Sequence, residues 1–160
     1  MKAKLYLDTS IPSAYYDTSK PIRQLITQLW FQNEAENYDL YTSVITIEEV
    51  DRLNNTQKKQ NIKNLILVNK IQILELNENA IKLAKSYIEN GAIPNSELED
   101  AYHIAVATVH NIECLASWNF KHIVSVNPIR KIHEINKKNK FEIIEIGSLE
   151  IFGGYKYGNL

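Results

Sequence analysis

The chain has 160 residues and a mass of 18.5 kDa, the size of one domain, and 44% hydrophobic residues suffice for a core without disulfide support. With 18 Lys+Arg against 19 Asp+Glu the formal net charge is −1, which excludes nucleic-acid binding by bulk charge and excludes a disordered composition. Apolar runs fall far short of the roughly 20 residues needed to span a bilayer, and the N-terminus carries no apolar leader, so a cytoplasmic protein with no membrane partner is expected.

Residues 3–8 alternate and end in an acid before Thr-Ser-Ile-Pro, the pattern of a buried first strand that delivers Asp8 into a turn. Ser10 ahead of Ile11-Pro12 has the form of an N-cap with proline in the first helical turn. Pro21 opens a second helix running toward Glu36, with Ile22, Leu25, Ile26 and Leu29 at helical spacing. That stripe, with Trp30, suits a homodimer contact or a core face equally. A strand over 39–43, a short helix over 46–53, a helix over 61–69, a strand over 71–76 and a helix over 77–89 follow, the last stopped by Asn90-Gly91. Ser96-Glu97-Leu98-Glu99 has the shape of a capping box and starts another helix, with Ala101, Ile104, Ala105 and Thr108 on one face. A strand over 112–116, a helix over 128–139 and a strand over 141–146 complete the series. The alternation predicts an α/β fold with a central, mostly parallel sheet and helices on both faces, a single domain over 1–147 with a C-terminal tail over 148–160. Cys114, the single cysteine, lies in an apolar stretch and reads as a buried, inert thiol.

Charge is segregated along the chain. Arg52, Lys58, Lys59, Lys63 and Lys70 run without an intervening acid, and Lys121, Arg130, Lys131, Lys137, Lys138 and Lys140 meet only Glu134. Between them, acids from Glu75 to Glu113 are opposed by Lys82 and Lys85 alone. An acidic metal pocket with basic rims for phosphates has this signature, and so do solvated helix faces.

Ligand sites in open α/β sheets lie beyond the carboxyl ends of the strands, which singles out acids in those positions. Asp8 follows the first strand. In the helix after the second strand, Ile47, Val50 and Leu53 define the buried side; Glu48 projects nearly opposite, and Glu49 lies on the flank beside Thr46, making Glu49 the pocket candidate. Glu97 and Asp100 share a face, and Asp100 immediately precedes the apolar Ala101. An acid entering an apolar face needs a compensating cation, although acids in a first turn also complement the helix dipole. Three acids from separate segments suit a hard ion such as Mg²⁺ or Mn²⁺, and such an ion supports phosphodiester hydrolysis. Ser10, beside Asp8, is a candidate for a phosphate contact as well as a cap.

The segments Leu-Tyr-Leu-Asp-Thr-Ser (5–10), Ser-Val-Ile-Thr-Ile-Glu-Glu-Val (43–50), Glu-Asp-Ala-Tyr-His-Ile-Ala-Val-Ala (99–107) and Ala-Ser-Trp-Asn-Phe-Lys-His-Ile (116–123), in this order and spacing, resemble a PIN-domain protein of the VapC-like toxin type. The resemblance covers about the first 125 residues. It implies a three-layer α/β/α fold and a Mg²⁺- or Mn²⁺-dependent endoribonuclease, the toxin of a toxin-antitoxin pair, with RNA as substrate and a protein antitoxin as partner. It places Asp8, Glu49 and Asp100 as metal ligands and Asn119 in the fourth catalytic position. There the family usually has an Asp, and Ser117 lies two positions earlier; an amide brings no charge. The alternative is therefore a catalytically weakened PIN domain that binds RNA or a protein.

Among the remaining candidates, His122 reads as a pocket-rim residue or a surface cap. Tyr15, Tyr16 and Trp118 read as base-stacking or core residues. His103 and His110, seven apart on one helix and so about 10 Å apart along its axis, are assigned to packing or surface. No glycine-rich phosphate loop, Ser-His-Asp arrangement or dinucleotide fingerprint is present in the sequence.

Overall fold

The computed structural model describes residues 1–153. Five strands, β1 (Ala3–Leu7), β2 (Tyr38–Ser43), β3 (Gln72–Leu74), β4 (Cys114–Ala116) and β5 (Glu145–Gly147), form one sheet in the order β3-β2-β1-β4-β5. Every pairing is parallel. Among the described residues, seven α-helices connect or flank them: α1 (Ser10–Tyr15), α2 (Pro21–Asn33), α3 (Val44–Asp51), α4 (Thr56–Val68), α5 (Glu78–Glu89), α6 (Leu98–Val109) and α7 (Val126–Lys138).

The two-residue period of β1 divides the core. Tyr6 faces the cluster built on α5, α6 and α7, while Leu5 and Leu7 face the cluster built on α1, α2 and α4. A parallel sheet buried on both faces is the result, the three-layer α/β/α arrangement expected from the sequence. The chain builds outward from β1 through β2 to β3, then returns to place β4 on the other side of β1. The crevice at the carboxyl ends of β1 and β4 is thus a topological switch point. Asp8 and Ser117 are the residues that emerge there.

Local capping explains where helix boundaries differ from the sequence expectation. Helix α3 starts at Val44 because Ser43 Oγ accepts from Ile45 N, and α4 starts at Thr56 because Asn55 caps Lys58 N. Asn77 caps α5 in the same way, and Gly91, at φ 74°, takes the left-handed conformation after its end. Two expected caps do not form. Thr9, rather than Ser10, precedes α1, and the Ser10 hydroxyl turns to Asp8. The capping box at Ser96 is absent: a 3₁₀ turn over Asn95–Glu97 leads into α6, and Glu99 pairs with Arg52 instead. Cys114 is half-buried rather than buried, and burial, then Glu113 and Glu145, push its thiol up, which keeps it protonated. The stripe on α2 divides: Trp30 enters the core and Ile26 packs partly against it, whereas Ile22 and Leu25 are exposed.

The packed chain continues beyond residue 147. Leu149 and Phe152, on a 3₁₀ turn, are buried against α2, and the Phe152 carbonyl accepts from Trp30 Nε1 at 3.4 Å and Tyr38 Oη at 2.7 Å. The rest of the expected tail, residues 154–160, lies outside the described residues. Leu149→Ala should cost about 3 kcal/mol, the scale of a buried leucine lost to a cavity, read as a lower urea midpoint at unchanged slope. A midpoint equal to wild type would show that this turn contributes nothing to the domain.

Candidate active site

Asp8 is 3% exposed, and both of its carboxylate oxygens accept hydrogen bonds. Its Oδ1 accepts from Ser10 N at 3.0 Å and Ser10 Oγ at 2.5 Å, and its Oδ2 accepts from Ser117 Oγ at 2.5 Å. The same hydroxyl oxygens accept from the next turn: Trp118 N donates to Ser10 Oγ and Asn119 N to Ser117 Oγ. Two serines therefore tie the loop after β4 to the acid after β1. Burial raises the Asp8 carboxyl above its ordinary value, against His103, Ser10 and Ser117, which lower it.

Asp100 enters the same pocket from the first turn of α6. Burial and then the charge of Asp8 push its carboxyl up to about 7, with His103 opposing. Its Oδ2 accepts from Asn119 Nδ2 at 3.0 Å. The amide is oriented by its other end, because Asn119 Oδ1 accepts from Lys121 N at 3.2 Å and His122 N at 2.9 Å. Asn119 thus stands where the resemblance expects an acid, as a neutral donor to Asp100. Its oxygen is committed to the backbone and not to the pocket.

Glu49 turns inward from α3 while Glu48 is exposed. Glu49 Oε1 accepts from His103 Nε2 at 2.7 Å and Thr9 Oγ1 at 2.9 Å. Burial raises its carboxyl, but His103, Thr9 and Arg52 together outweigh that and hold it below the ordinary value. His103, 2% exposed, shows the converse: burial depresses the imidazole, and Glu49, Asp8 and Asp100 override it to a raised value. Its Nδ1 lies 2.6 Å from Tyr6 Oη, which is 2.6 Å from Ser43 Oγ. Desolvation drives the Tyr6 phenol upward, so it stays protonated and supplies a neutral floor.

His103, assigned from the sequence to packing or surface, is buried and joins this cluster through Glu49 and Tyr6. The comparison with His110 pointed away from the site. The informative spacing was to Asp100, three residues earlier on the same face. Of the rim candidates, His122 Nε2 lies 3.6 Å from Glu97 Oε1. Tyr15 packs on Tyr16 and on Phe31. Trp118 is buried, with Nε1 donating to Thr27 Oγ1.

Among the described residues, no group of three or more Asp, Glu, His or Cys side chains stands ready to hold one ion. The donor chemistry nevertheless fits a hard cation at Asp8 and Asp100, a buried and a half-buried carboxylate, the charge of the first raising the cost of ionising the second. Glu49, engaged through Oε1, has one oxygen committed to His103 and Thr9.

Residues 5–120 match the PIN domain, and the chain belongs to the PIN-domain family. No match was found among curated proteins. Among solved structures, the chain is similar to Mycobacterium tuberculosis VapC20, described as a sarcin-ricin loop cleaving toxin, at 12% identity and TM-score 0.55, covering 74% of this chain and 92% of that one. It is similar to VapBC-1 from nontypeable Haemophilus influenzae at 18% identity and TM-score 0.57, covering 91% and 98%. It is also similar to VapBC2 from Rickettsia felis, bound to a DNA fragment from its promoter, at 13% identity and TM-score 0.54, covering 90% and 98%. No helix among the described residues is long and apolar enough to cross a membrane.

Proposed function

We propose that this PIN domain is a Mg²⁺- or Mn²⁺-dependent endoribonuclease, the toxin of a toxin-antitoxin pair with a protein antitoxin as partner, acting in the cytoplasm. One observation carries the reading: Asp8 after β1 and Asp100 on α6 are brought to one crevice, linked there through Ser117 and Asn119, with the charge of Asp8 raising the Asp100 carboxyl. Such a pair is costly unless a cation or a proton relieves it. The description of VapC20 as a sarcin-ricin loop cleaving toxin supports the choice of substrate. The fold shared with VapBC structures supports an antitoxin, and the exposed Ile22 and Leu25 supply an apolar surface for it or for a homodimer.

In this reading Asp8 and Asp100 hold the ion, with Glu49 contributing the oxygen that His103 does not engage. When bound, a divalent ion polarises a phosphodiester and lowers the pKa of an attacking water. The chain's own residues prepare that chemistry. Ser10 and Ser117 fix both oxygens of Asp8; His103 and Thr9 keep Glu49 ionised and aimed; Asn119 steadies Asp100.

A second reading, a weakened PIN domain that binds RNA or protein, is favoured by the Asn119 amide, which leaves the pocket one carboxylate short. Cleavage of a mixed RNA pool by protein freed of host nucleases separates the two. Wild type should cut with Mn²⁺ and stop with a chelator, and Asp8→Asn should not cut. Binding to the folded state alone should also raise the unfolding free energy by about 2.7 kcal/mol at a hundredfold excess over Kd, seen as a higher Tm in wild type and lost in Asp8→Asn. Equal Mn²⁺ shifts in both proteins would overturn the assignment of the site.

A further inference from the structure

Beside the acidic crevice, and opening from it, lies a cleft of about 440 Å³ whose lining includes Ser10 and Asn119, the residues bonded to Asp8 and Asp100. Its chemistry is the reverse of the crevice. Lys20, Arg23 and Lys121 line it against a single acid, Asp17, whose carboxylate is bonded to Ser19. The Arg23 guanidinium lies 5.2 Å from the Trp118 ring centre and 5.8 Å from that of Phe120, and it forms no ion pair with a carboxylate among the described residues. Trp118 is anchored in the core, but Phe120 is 48% exposed. A second cleft of about 370 Å³ continues on the far side and shares Lys20, Arg23, Trp118 and Phe120. Phe120 and Arg23 therefore form a ridge between two hollows, reached directly from the acids.

We infer that this ridge is a stacking platform for an unpaired base of a single-stranded nucleic acid, with Lys20, Arg23 and Lys121 neutralising the flanking phosphates. The inference rests on the nuclease reading for the identity of that strand as substrate. An exposed ring flanked by a planar guanidinium matches a chain that alternates planar bases with anions. An acidic peptide supplies the anions but nothing planar to cover Phe120. A paired base has its faces already covered by its neighbours, so duplex does not fit the ridge. The cationic rim at the site thus comes chiefly from Lys20 and Arg23, outside the two basic runs that stand out in the sequence.

The test measures binding, by fluorescence anisotropy, of a labelled 2′-O-methyl oligoribonucleotide that resists cleavage. Phe120→Ala should weaken binding about tenfold, the scale of one lost base stack. Phe120→Trp should retain it, and Phe120→Leu should behave like alanine. Arg23→Ala should weaken binding more than Lys82→Ala, which removes the same charge from the exposed side of α5. Unchanged circular dichroism and Tm would exclude unfolding as the cause. Equal affinity in Phe120→Ala and wild type, full retention in Phe120→Leu, equal affinity for a duplex, or displacement by polyglutamate as effective as by unlabelled oligonucleotide would each overturn the platform. Binding that depends on Phe120 without Mn²⁺-dependent cleavage would reject the nuclease and keep the platform. Cleavage that depends on Asp8, with binding indifferent to Phe120, would do the reverse.

Discussion

Glu49→Gln is expected to lower the proposed ribonuclease rate about a hundredfold, the scale of losing a group that supports a metal site, while Glu48→Gln leaves it nearly intact. The two residues are neighbours in sequence and about 100° apart on α3, so one contacts His103 and the other is exposed. Glutamine keeps an acceptor for Thr9 but removes the charge opposite the imidazole. Stability should change with it. Glu49 is held below its ordinary 4.5, so its contribution is present above that pH and lost as pH falls through the folded value. His103 is held above its ordinary 6.5, so its contribution is present below 6.5 and lost as pH rises through the folded value. The pair therefore stabilises most between about 4.5 and 6.5, and the Tm deficit of Glu49→Gln should be largest in that window. Equal rate losses in the two variants, or the reverse order, would sink the assignment.

Asp100→Asn should abolish cleavage and at the same time stabilise the metal-free protein at alkaline pH. Asp100 is raised from 3.8 to about 7, so the folded state holds its proton longer than the unfolded state does. Stability is therefore highest below about 4 and is lost as pH rises through about 7. Removing the carboxylate spares that loss, about 2 kcal/mol after allowance for solvent screening, and so should raise Tm by several degrees at pH 8 and hardly at all at pH 4. Asn119→Asp should act in the opposite sense. It replaces a donor 3.0 Å from Asp100 Oδ2 with a second anion, lowering Tm at pH 8 more than at pH 5, with Mn²⁺ restoring it and raising cleavage. A Tm for Asp100→Asn that tracks wild type across this range would show that the crevice does not store the repulsion assigned to it. Reduced cleavage in folded Asn119→Asp would assign the amide a role of its own, donation to Asp100 being the one visible here.

Much of the architecture was legible because its signals are local. A two-residue period ending in Asp8 marks a strand and its carboxyl end; a helical period of apolar residues on α3 separates Glu49 from Glu48; an acid beside Ala101 marks Asp100 as entering a buried face. These relations lie within a few residues of one another and follow from backbone geometry. Caps were less legible, since Ser10 and Glu99 each had two partners to choose from, and Ser10 took Asp8 two residues earlier while Glu99 took Arg52 across helices.

What the sequence by itself determined, then, is the alternation of elements and which acid each presents at the carboxyl edge of the sheet. Only the tertiary structure decided their company. Ser117 reaches Asp8 across 109 residues because β4 pairs with β1, and His103 meets Glu49 across 54 because α6 packs on α3. The orientation of the Asn119 amide is set by two backbone N–H groups of its own turn, and only the return of that turn to the crevice aims its other end at Asp100. Backbone periodicity is encoded by neighbouring residues, whereas strand order, which brings these donors to these carboxylates, comes from burying two apolar faces at once and leaves no period in the chain to be read.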